Sequence, residues 1–328
     1  MQQVNRAAMA AAVFLTPLLS MTAPAKASGV TLPAPAVTLY GKAEVQLAYT
    51  DKGLMRYTRE GTQLDMPFSR FGLRGEQVLN EHLTAFFTYE VDVRGFDQAD
   101  TQTPFSARNT FIGIKGQFGQ LIAGRNDTRL KTSEGGFDLY NETSGDIAQI
   151  LPGQDRLGDS LTYLSPSFGN WSLSATYVLG QDNELQAGKD GVAISIGYGD
   201  RSLSTVPYYL TLTRAQSLNG LDATRLMWQQ QFSGLVLGIL LQHSEESDGE
   251  RSGTGGYLSA EYRFDHWRPK VQLGRDTTRL RQATAANHYT AGIDYVFNRQ
   301  SKAYLYVTRL ELTDSADTSL ALGLQYRF

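Results

Sequence analysis

The amino-acid sequence predicts an all-β fold, a transmembrane antiparallel β-barrel of about sixteen strands. Three observations predict it: apolar and polar residues alternate with a period of two, connections alternate between short and long, and the chain ends on a two-faced strand. In a bilayer, backbone polar groups must be paired within the protein. A closed barrel achieves this because it has no unpaired edge.

The C-terminal segment, Thr318 to Phe328, is the clearest strand. Its apolar residues share one face, and they are Leu320, Leu322, Leu324, Tyr326 and Phe328. We expect this face to meet lipid, the opposite polar face to meet water inside the barrel, and Phe328 to lie at the membrane interface. Val37 to Tyr49 alternates as strongly, so we expect these two strands to pair and close the barrel.

Similar alternation recurs between these two strands. The segments lie around 69–79, 83–93, 107–116, 119–126, 157–165, 171–179, 191–199, 204–214, 223–232, 235–243, 256–264, 269–276, 288–297 and 301–311. With the first and last strands they make about sixteen, an even number as in bacterial outer-membrane barrels.

The connections between these segments alternate in length. The short ones lie near 80–81, 117–118, 169–170, 200–201, 233–234, 265–266 and 298–299, and the long ones at 50–68, 95–106, 127–156, 180–190, 215–222, 244–255, 277–287 and 312–317. Aromatic residues cluster beside the short turns: Phe118, Phe168, Trp171, Phe232, Phe264, Trp267, Phe297 and Phe328. This pattern predicts short periplasmic turns beside an aromatic girdle, and long extracellular loops.

The N-terminal segment has the three parts of a secretory signal peptide. Arg6 precedes an apolar stretch, and Ala25-Lys26-Ala27 offers small residues for cleavage after Ala25 or Ala27. The apolar stretch is shorter than the roughly 20 residues that span a bilayer as a helix. We therefore expect a signal peptide at 1–27 and a barrel domain at 28–328.

Composition argues against several classes of function. After cleavage, 28 basic residues would face 33 acidic ones, a formal charge of −5, which disfavours nucleic acid as a partner. The chain has no cysteine, and its four histidines are scattered: His82, His243, His266 and His288. Neither an HExxH motif nor a G-x-S-x-G motif is present. We expect no catalytic residues, metal or cofactor.

Several stretches together resemble the general porins of the Gram-negative outer membrane, which are trimeric and sixteen-stranded. They are VTLYGKAEV at 37–45, SRFGLRGEQVLNEHLTAFFTYE at 69–90, RNTFIGIKGQFGQLIAGRN at 108–126, DRLGDSLTYLSPSFGNWSLSATY at 155–177 and the C-terminal LALGLQYRF. The resemblance implies a homotrimer in contact with outer-membrane lipids and lipopolysaccharide. It also implies that Tyr326 and Phe328 belong to an assembly signal that the barrel insertion machinery reads.

The resemblance further implies that the third loop, about 127–155, folds into the lumen and narrows it. Acidic residues on this loop would face basic residues on the wall. The acidic candidates are Glu134, Asp138, Glu142 and Asp146, and the basic candidates are Lys42, Arg70, Arg74, Arg108 and Arg156. Lys42, Arg70 and Arg74 also fall on the polar faces of their strands. Opposed charges would set a transverse field that filters ions.

Plainer interpretations of these charges stay open. The wall arginines could be solvated lumen charges, and the loop acids could be exposed if the loop lies outside the barrel. Ser133-Glu134-Gly135-Gly136-Phe137 departs from the family's Pro-Glu-Phe-Gly-Gly stretch, which weakens the assignment of Glu134. Arg125 shares a face with Leu121 and Ala123, away from the lumen, so we expect it at a subunit interface.

The predicted function is passive diffusion of small hydrophilic solutes and ions through a water-filled channel. Three alternatives remain: a solute-selective porin with a binding site in the lumen, an outer-membrane barrel enzyme, and a structural or adhesive barrel with a plugged lumen. The acidic loop and the net charge predict a weak preference for cations.

Overall fold

A computed structural model of the protein describes residues 35–94, 104–180, 188–247 and 249–328. The predicted signal peptide at 1–27 lies outside the described residues, so it stays a prediction. Within the described ranges, no helix has the length and apolar character needed to cross a membrane.

The described residues form eighteen β-strands that join in one antiparallel sheet. In chain order they are β1 (Ala36–Thr50), β2 (Gly61–Asp65), β3 (Arg70–Asn80), β4 (Leu83–Val93), β5 (Phe105–Gly116), β6 (Gly119–Asp127), β7 (Arg156–Leu157), β8 (Ser160–Leu164), β9 (Trp171–Val178), β10 (Gly191–Gly199), β11 (Tyr208–Leu218), β12 (Leu221–Phe232), β13 (Leu235–Glu246), β14 (Ser252–Tyr262), β15 (Trp267–Asp276), β16 (Ala286–Val296), β17 (Ser301–Glu311) and β18 (Ala316–Arg327).

Two spans of the barrel each consist of two consecutive strands, so the eighteen strands make sixteen membrane spans. β2 and β3 follow one another along the same edge of β1, with Thr50 opposite Gly61 and Ala36 opposite Glu76. β7 and β8 likewise follow one another along β6. The predicted sixteen-stranded barrel is confirmed.

The first and last strands close the barrel as predicted. β18 pairs with β1 from Lys42 opposite Arg327 to Thr50 opposite Ser319. Phe328 extends this pairing, because its amide donates to the Gly41 carbonyl at 3.1 Å and its own carbonyl accepts from the Gly41 amide at 3.0 Å. A Cβ at position 41 would collide with the Phe328 ring, so a glycine is required there.

The two faces of the sheet differ as the alternation predicts. Leu322 is 56% exposed on the outer face, whereas its neighbour Ala321 on the inner face is fully buried. The aromatic residues beside the short turns are exposed on the outside, including Phe168, Phe264 and Phe328. Lipid-facing side chains are expected to be exposed in a barrel described without its membrane.

Two predicted connections are wrong in length. The turn expected at 200–201 occupies 200–207, because the Asp200 carboxylate accepts hydrogen bonds from the backbone amides of the following Ser and Thr residues and holds a longer turn. The loop expected at 215–222 is a two-residue hairpin, Asn219-Gly220. Both residues have positive φ, 56° and 72°, which suits the Asn-Gly pair in a tight turn.

The third loop, 128–155, folds into the barrel as the resemblance implied. It contains a short helix, α1 (Arg129–Thr132), capped by the Thr128 side chain, and a 3₁₀ turn (Ile147–Gln149) capped by Asp146. Its apolar side chains pack against inward-facing residues of β12, β13 and β14. This cluster includes Phe137, Ile147, Ile150, Leu151, Met227, Leu240 and Tyr257. The largest buried apolar cluster therefore joins the loop to one wall of the barrel.

Candidate functional site: the constriction

Glu142 on the third loop meets three cations of the wall. Its carboxylate lies 2.9 Å from Lys42 Nζ, 2.7 Å from Arg70 Nη1 and 2.7 Å from Arg108 Nη2. These cations lie on β1, β3 and β5. β1 pairs with β3, and β4 lies between β3 and β5, so the three cations come from one side of the barrel. We call Glu142, Lys42, Arg70 and Arg108 the Glu142 cluster. Three of the five predicted wall cations are brought together here.

The loop backbone aims Glu142 at the wall. Glu142 has a left-handed φ of 68°, which is unfavourable for a residue with a side chain. Its amide donates to Asp146 Oδ2 at 2.7 Å, and Asp146 Oδ1 also accepts from the Ala148 amide. Asp146 thus stabilises the turn that presents Glu142.

The wall supplies carboxylates of its own. Glu90 lies 2.8 Å from Arg108 Nε and 3.7 Å from Arg70 Nε, and Glu44 lies 2.6 Å from Lys42. Burial by itself would raise the pKa of Glu142, but the adjacent Lys42, Arg70 and Arg108 outweigh burial and lower that pKa well below its usual range. Glu142 is therefore ionised at neutral and mildly acidic pH.

The other two predicted wall cations stand apart from the cluster. Arg156 pairs with Asp127 at 3.0 Å and donates from Nε to Asn109. Arg74 is exposed toward the short-turn end, with its guanidinium 5.3 Å from the centre of the Tyr40 ring. Neither contacts Glu142.

Glu134 and Asp138 do not face the basic wall that was predicted for them, and Asp146 lines the cavity beside Arg108 and Arg156 but accepts hydrogen bonds from amides of its own loop. Asp138 accepts from Gln272 Nε2 at 3.2 Å and from the backbone amide of Tyr140. Glu134 lies 3.7 Å from Arg225 Nη1, on the opposite side of the barrel. Apart from Glu142, the predicted loop acids therefore organise the loop or attach it to the far wall.

These buried acids have unusual protonation. Burial raises the pKa of Glu134 to about 7, although Arg225 opposes the shift. Burial also raises the pKa of Asp138 well above its usual range, and the neighbouring Asp146 and Glu134 raise it further. Unlike Glu142, these carboxylates lack enough cations to keep them charged.

The residues that attach the loop were missed by reasoning from the sequence. Arg225 is fully buried and donates to the carbonyls of Leu130 at 2.8 Å and Pro152 at 3.4 Å, near the two ends of the loop. Lys270 Nζ donates to the Leu139 carbonyl at 2.8 Å, and His288 Nε2 lies 3.1 Å from the Ser144 carbonyl. Their positions on the inward faces of amphipathic strands could have identified them as lumen residues. The sequence did not show which loop carbonyls they contact.

A cavity of about 150 Å³ lies beside the Glu142 cluster, and charged residues dominate its lining. Its basic residues are Arg56, Arg108, Lys131, Arg156 and Arg281, and its acidic residues are Glu142, Asp146 and Asp155. Asp146 is turned toward backbone amides of its own loop. The lining is therefore more basic than acidic.

The remaining predicted residues lie on the outer face or at the rim. Arg125 is half-buried near the C-terminal end of β6, where its Nη1 donates to the Arg156 carbonyl at 3.4 Å. Tyr326 and Phe328 are exposed, and their rings stack with centroids 6.1 Å apart. Across the described ranges, no group of three or more His, Asp or Glu side chains is placed to hold a metal ion.

Comparison with known proteins gives relatives along nearly the whole chain. Outer membrane porin F of Escherichia coli (strain K12) is 26% identical over 334 residues, which cover 89% of this chain and 91% of that protein. Major outer membrane protein P.IB of Neisseria lactamica is 23% identical over 324 residues, covering 89% of this chain and 94% of that protein.

Solved porin structures share the fold. The anion-selective porin from Comamonas acidovorans superposes with a TM-score of 0.71 at 18% identity, covering 90% of this chain and 100% of that one. Salmonella typhi OmpF in complex with daunomycin gives a TM-score of 0.69 at 19% identity, covering 89% and 97%. A family model described as Gram-negative porin matches residues 7–315, and the chain therefore belongs to the Gram-negative porin family.

Proposed function

We propose that the Glu142 cluster is the charge filter of this outer-membrane channel, through which small hydrophilic solutes diffuse passively. The observation that carries the proposal is the contact of one loop carboxylate with Lys42, Arg70 and Arg108 at the point where the loop meets the wall. Fixed charges at a narrow passage set the local concentration of permeant ions, because a low-dielectric wall focuses their field.

We infer a preference for anions, opposite to the weak cation preference that net charge predicts. Glu142, Glu44 and Glu90 together offset the three cations of the cluster, whereas the adjacent cavity has five basic and three acidic lining residues. The charges at the passage count for more than the charge of the whole chain, because salt screens distant charges within about 8 Å at physiological ionic strength.

Planar-bilayer recording tests both statements. Purified protein is expected to give stepwise conductance, and the reversal potential across a salt gradient is expected to have the sign of an anion-preferring pore. Arg70→Ala is expected to move it toward cation preference. An unchanged reversal potential would count against the filter, and absence of any conductance would contradict the channel itself.

The homotrimer is part of the proposal. It rests on the family resemblance and on one structural relative, OmpT of Vibrio cholerae, whose description includes a trimer form. Arg125 is our candidate for a subunit contact, because it shares the outer face of β6 with Leu121. Conductance steps in groups of three support the trimer, and a monomeric mass in mild detergent would contradict it.

Contact with lipopolysaccharide is supported by basic residues on the outer face. Arg214, Arg275 and Arg309 point outward near the loop ends of β11, β15 and β17, beyond rows of exposed apolar residues. At that level they can meet the phosphates of lipid headgroups. Replacing all three by Gln is expected to weaken stabilisation by added lipopolysaccharide, and an equal stabilisation would contradict the contact.

Phe328 remains our candidate for the assembly signal. Its backbone pairs with Gly41 at the seam, so its deletion removes two hydrogen bonds and one exposed aromatic residue. We expect deletion to slow insertion while leaving the conductance of correctly inserted channels unchanged. Normal insertion kinetics would contradict a signalling role. We propose no catalytic activity for this channel.

A further inference from the structure

A second cavity lies between α1 and the short-turn end of β9, β10 and β11. Its volume is about 330 Å³, and Arg129 and Arg201 contribute its two cations. Hydroxyl groups line much of the rest: Thr132, Ser133, Ser165, Ser167, Ser172, Ser174, Ser195, Thr205 and Tyr209. It is separate from the Glu142 cluster, none of whose members lines it.

Arg129 is held in place by its backbone, which leaves its side chain available. The Arg129 amide donates to Thr176 Oγ1 on β9 at 3.1 Å. The Nε of Arg129 is buried, and among the described residues it has no hydrogen-bond partner. A buried donor without an acceptor costs free energy, which a bound acceptor would recover.

Arg201 reaches the same cavity from the opposite side. Its Cγ would lie 3.2 Å from a Cβ added at Gly135, so its stem packs beneath the loop just after α1. Burial and the nearby positive charge of Arg201 together lower the pKa of Arg129 to about 10, although Asp127 opposes the shift. The two guanidinium groups repel each other, which an anion between them would relieve.

The described residues place one carboxylate, Asp200, in the lining, and its own turn occupies it. Asp200 accepts from the amides of Ser202, Ser204 and Thr205 at 2.7 to 2.9 Å, and from their hydroxyl groups as well. The Ser202 amide and its companions hold the pKa of Asp200 well below its usual range. These hydrogen bonds occupy both oxygens of the Asp200 carboxylate, so Asp200 does not pair with Arg129 or Arg201.

We propose that this cavity is a binding site for a small oxyanion, a phosphate or carboxylate group, held by Arg129 and Arg201 at the periplasmic end of the lumen. Guanidinium groups bind these planar or tetrahedral oxygens with paired hydrogen bonds. The serine and threonine hydroxyl groups can donate to the remaining oxygens. The inference rests on the proposed channel function and adds a solute class to it.

The test titrates inorganic phosphate against the channel current. Phosphate is added at the short-turn side of the full-length protein in a planar bilayer, and the half-saturating concentration for its effect on the current is measured. We expect saturable behaviour. Arg129→Gln and Arg201→Gln are each expected to raise the half-saturating concentration about tenfold, and the double variant is expected to lose saturation.

Controls separate the site from general electrostatics. Arg268→Gln removes an inward arginine at the same end but outside the cavity, and it is expected to leave the half-saturating concentration unchanged. Succinate in place of phosphate tells a general oxyanion site from a phosphate-specific one, and both results support the proposal. The proposal would be overturned if uncharged glucose also had a saturable effect on the current and both arginine variants kept that effect.

The failure of the site is distinguishable from failure of the channel. Conductance in potassium chloride without phosphate tests the channel alone. Calorimetric titration of detergent-solubilised protein with phosphate tests the site without any current. Arg201 is exposed on a turn, so Arg201→Gln is expected to fold normally. Equal phosphate binding by the wild type and the Arg129→Gln, Arg201→Gln double variant would overturn the proposal.

Discussion

The two sides of the third loop are attached to the barrel by different physical means. On the side of β1, β3 and β5, Glu142 meets three cations through charge. On the side of β12 to β16, Phe137 packs in an apolar cluster, while Arg225 and Lys270 donate to loop carbonyls. The first side is suited to acting on ions, and the second to holding the loop.

The difference shows where function and stability are separated. The ion pairs of the Glu142 cluster are largely buried, so the cost of taking the charges out of water offsets much of their attraction and the net contribution to stability is small. A buried aromatic ring and a fully buried guanidinium with several acceptors contribute more. Changes on the anchoring side should therefore affect stability first, and changes on the charged side should affect selectivity first.

The largest expected effect comes from Phe137→Ala. Phe137 is fully buried, and the glycine at position 238 leaves the space that its ring fills. Truncation leaves a cavity, so we expect a loss of about 4 kcal/mol in the free energy of unfolding. Urea unfolding in lipid vesicles measures it. Leu54→Ala, an exposed loop residue, is the control, and equal losses in both variants would contradict the anchoring role.

Next comes Arg225→Met, which keeps an apolar stem but removes the donors. The Leu130 carbonyl then keeps only the Ser133 hydroxyl and the Pro152 carbonyl only Gln242 Nε2 as donors, and Glu134 loses its nearest cation. We expect a loss of about 3 kcal/mol and a noisier single-channel current. Arg275→Met, at an exposed outward arginine, is expected to cost under about 0.5 kcal/mol. A quiet channel of normal stability in Arg225→Met would refute this account.

A pH dependence on the anchoring side should follow from Glu134. Its pKa, raised by burial to about 7, exceeds its ordinary unfolded value of about 4.3, so the folded state holds the proton more tightly. This contribution to stability is present below the unfolded pKa and is lost as pH rises through about 7. We expect the free energy of unfolding to fall by up to about 1 kcal/mol per pH unit between those values.

Glu134→Gln should reduce that slope, because the amide has no proton to lose, and Asp138, whose pKa burial also raises, should carry the remainder. Glu142→Gln is the matched control: the lowered pKa of Glu142 keeps it ionised across this window. Unfolding in urea from pH 5 to pH 8 measures both variants. A slope in Glu134→Gln equal to that of the wild-type protein would show that Glu134 does not contribute to it.

The smallest change in free energy is expected on the charged side. Glu142→Gln removes the carboxylate among three cations, which increases the positive potential of the passage. A unit charge at about 4 Å in water is worth about 1 kcal/mol, so we expect about a fivefold shift of the permeability ratio toward anions. Glu261→Gln, an inward carboxylate paired with Arg263, is the control. An unchanged reversal potential in Glu142→Gln would show that Glu142 does not contribute to the charge filter.

Sequence reasoning was most successful where structure follows from local alternation. The seam between β1 and β18, the inward direction of Lys42 and Arg70 and the outward direction of Arg125 all follow from a period of two. It failed at the Asn219-Gly220 hairpin, where the turn signal was present but was interpreted as a longer loop. It also grouped Glu142 with Asp138 and Asp146 and weakened only the assignment of Glu134, although Glu142 stands apart from the other three acids.

The sequence by itself determined the barrel, its strand number and its apolar outer surface, because each depends on residue alternation and on the need to pair backbone groups in lipid. The tertiary structure alone decided which acid meets the wall and which residues hold the loop. Those outcomes depend on the path of a loop without periodicity. Its contacts with Arg225, Lys270 and His288 join positions about 95 to 144 residues apart, which no local pattern encodes.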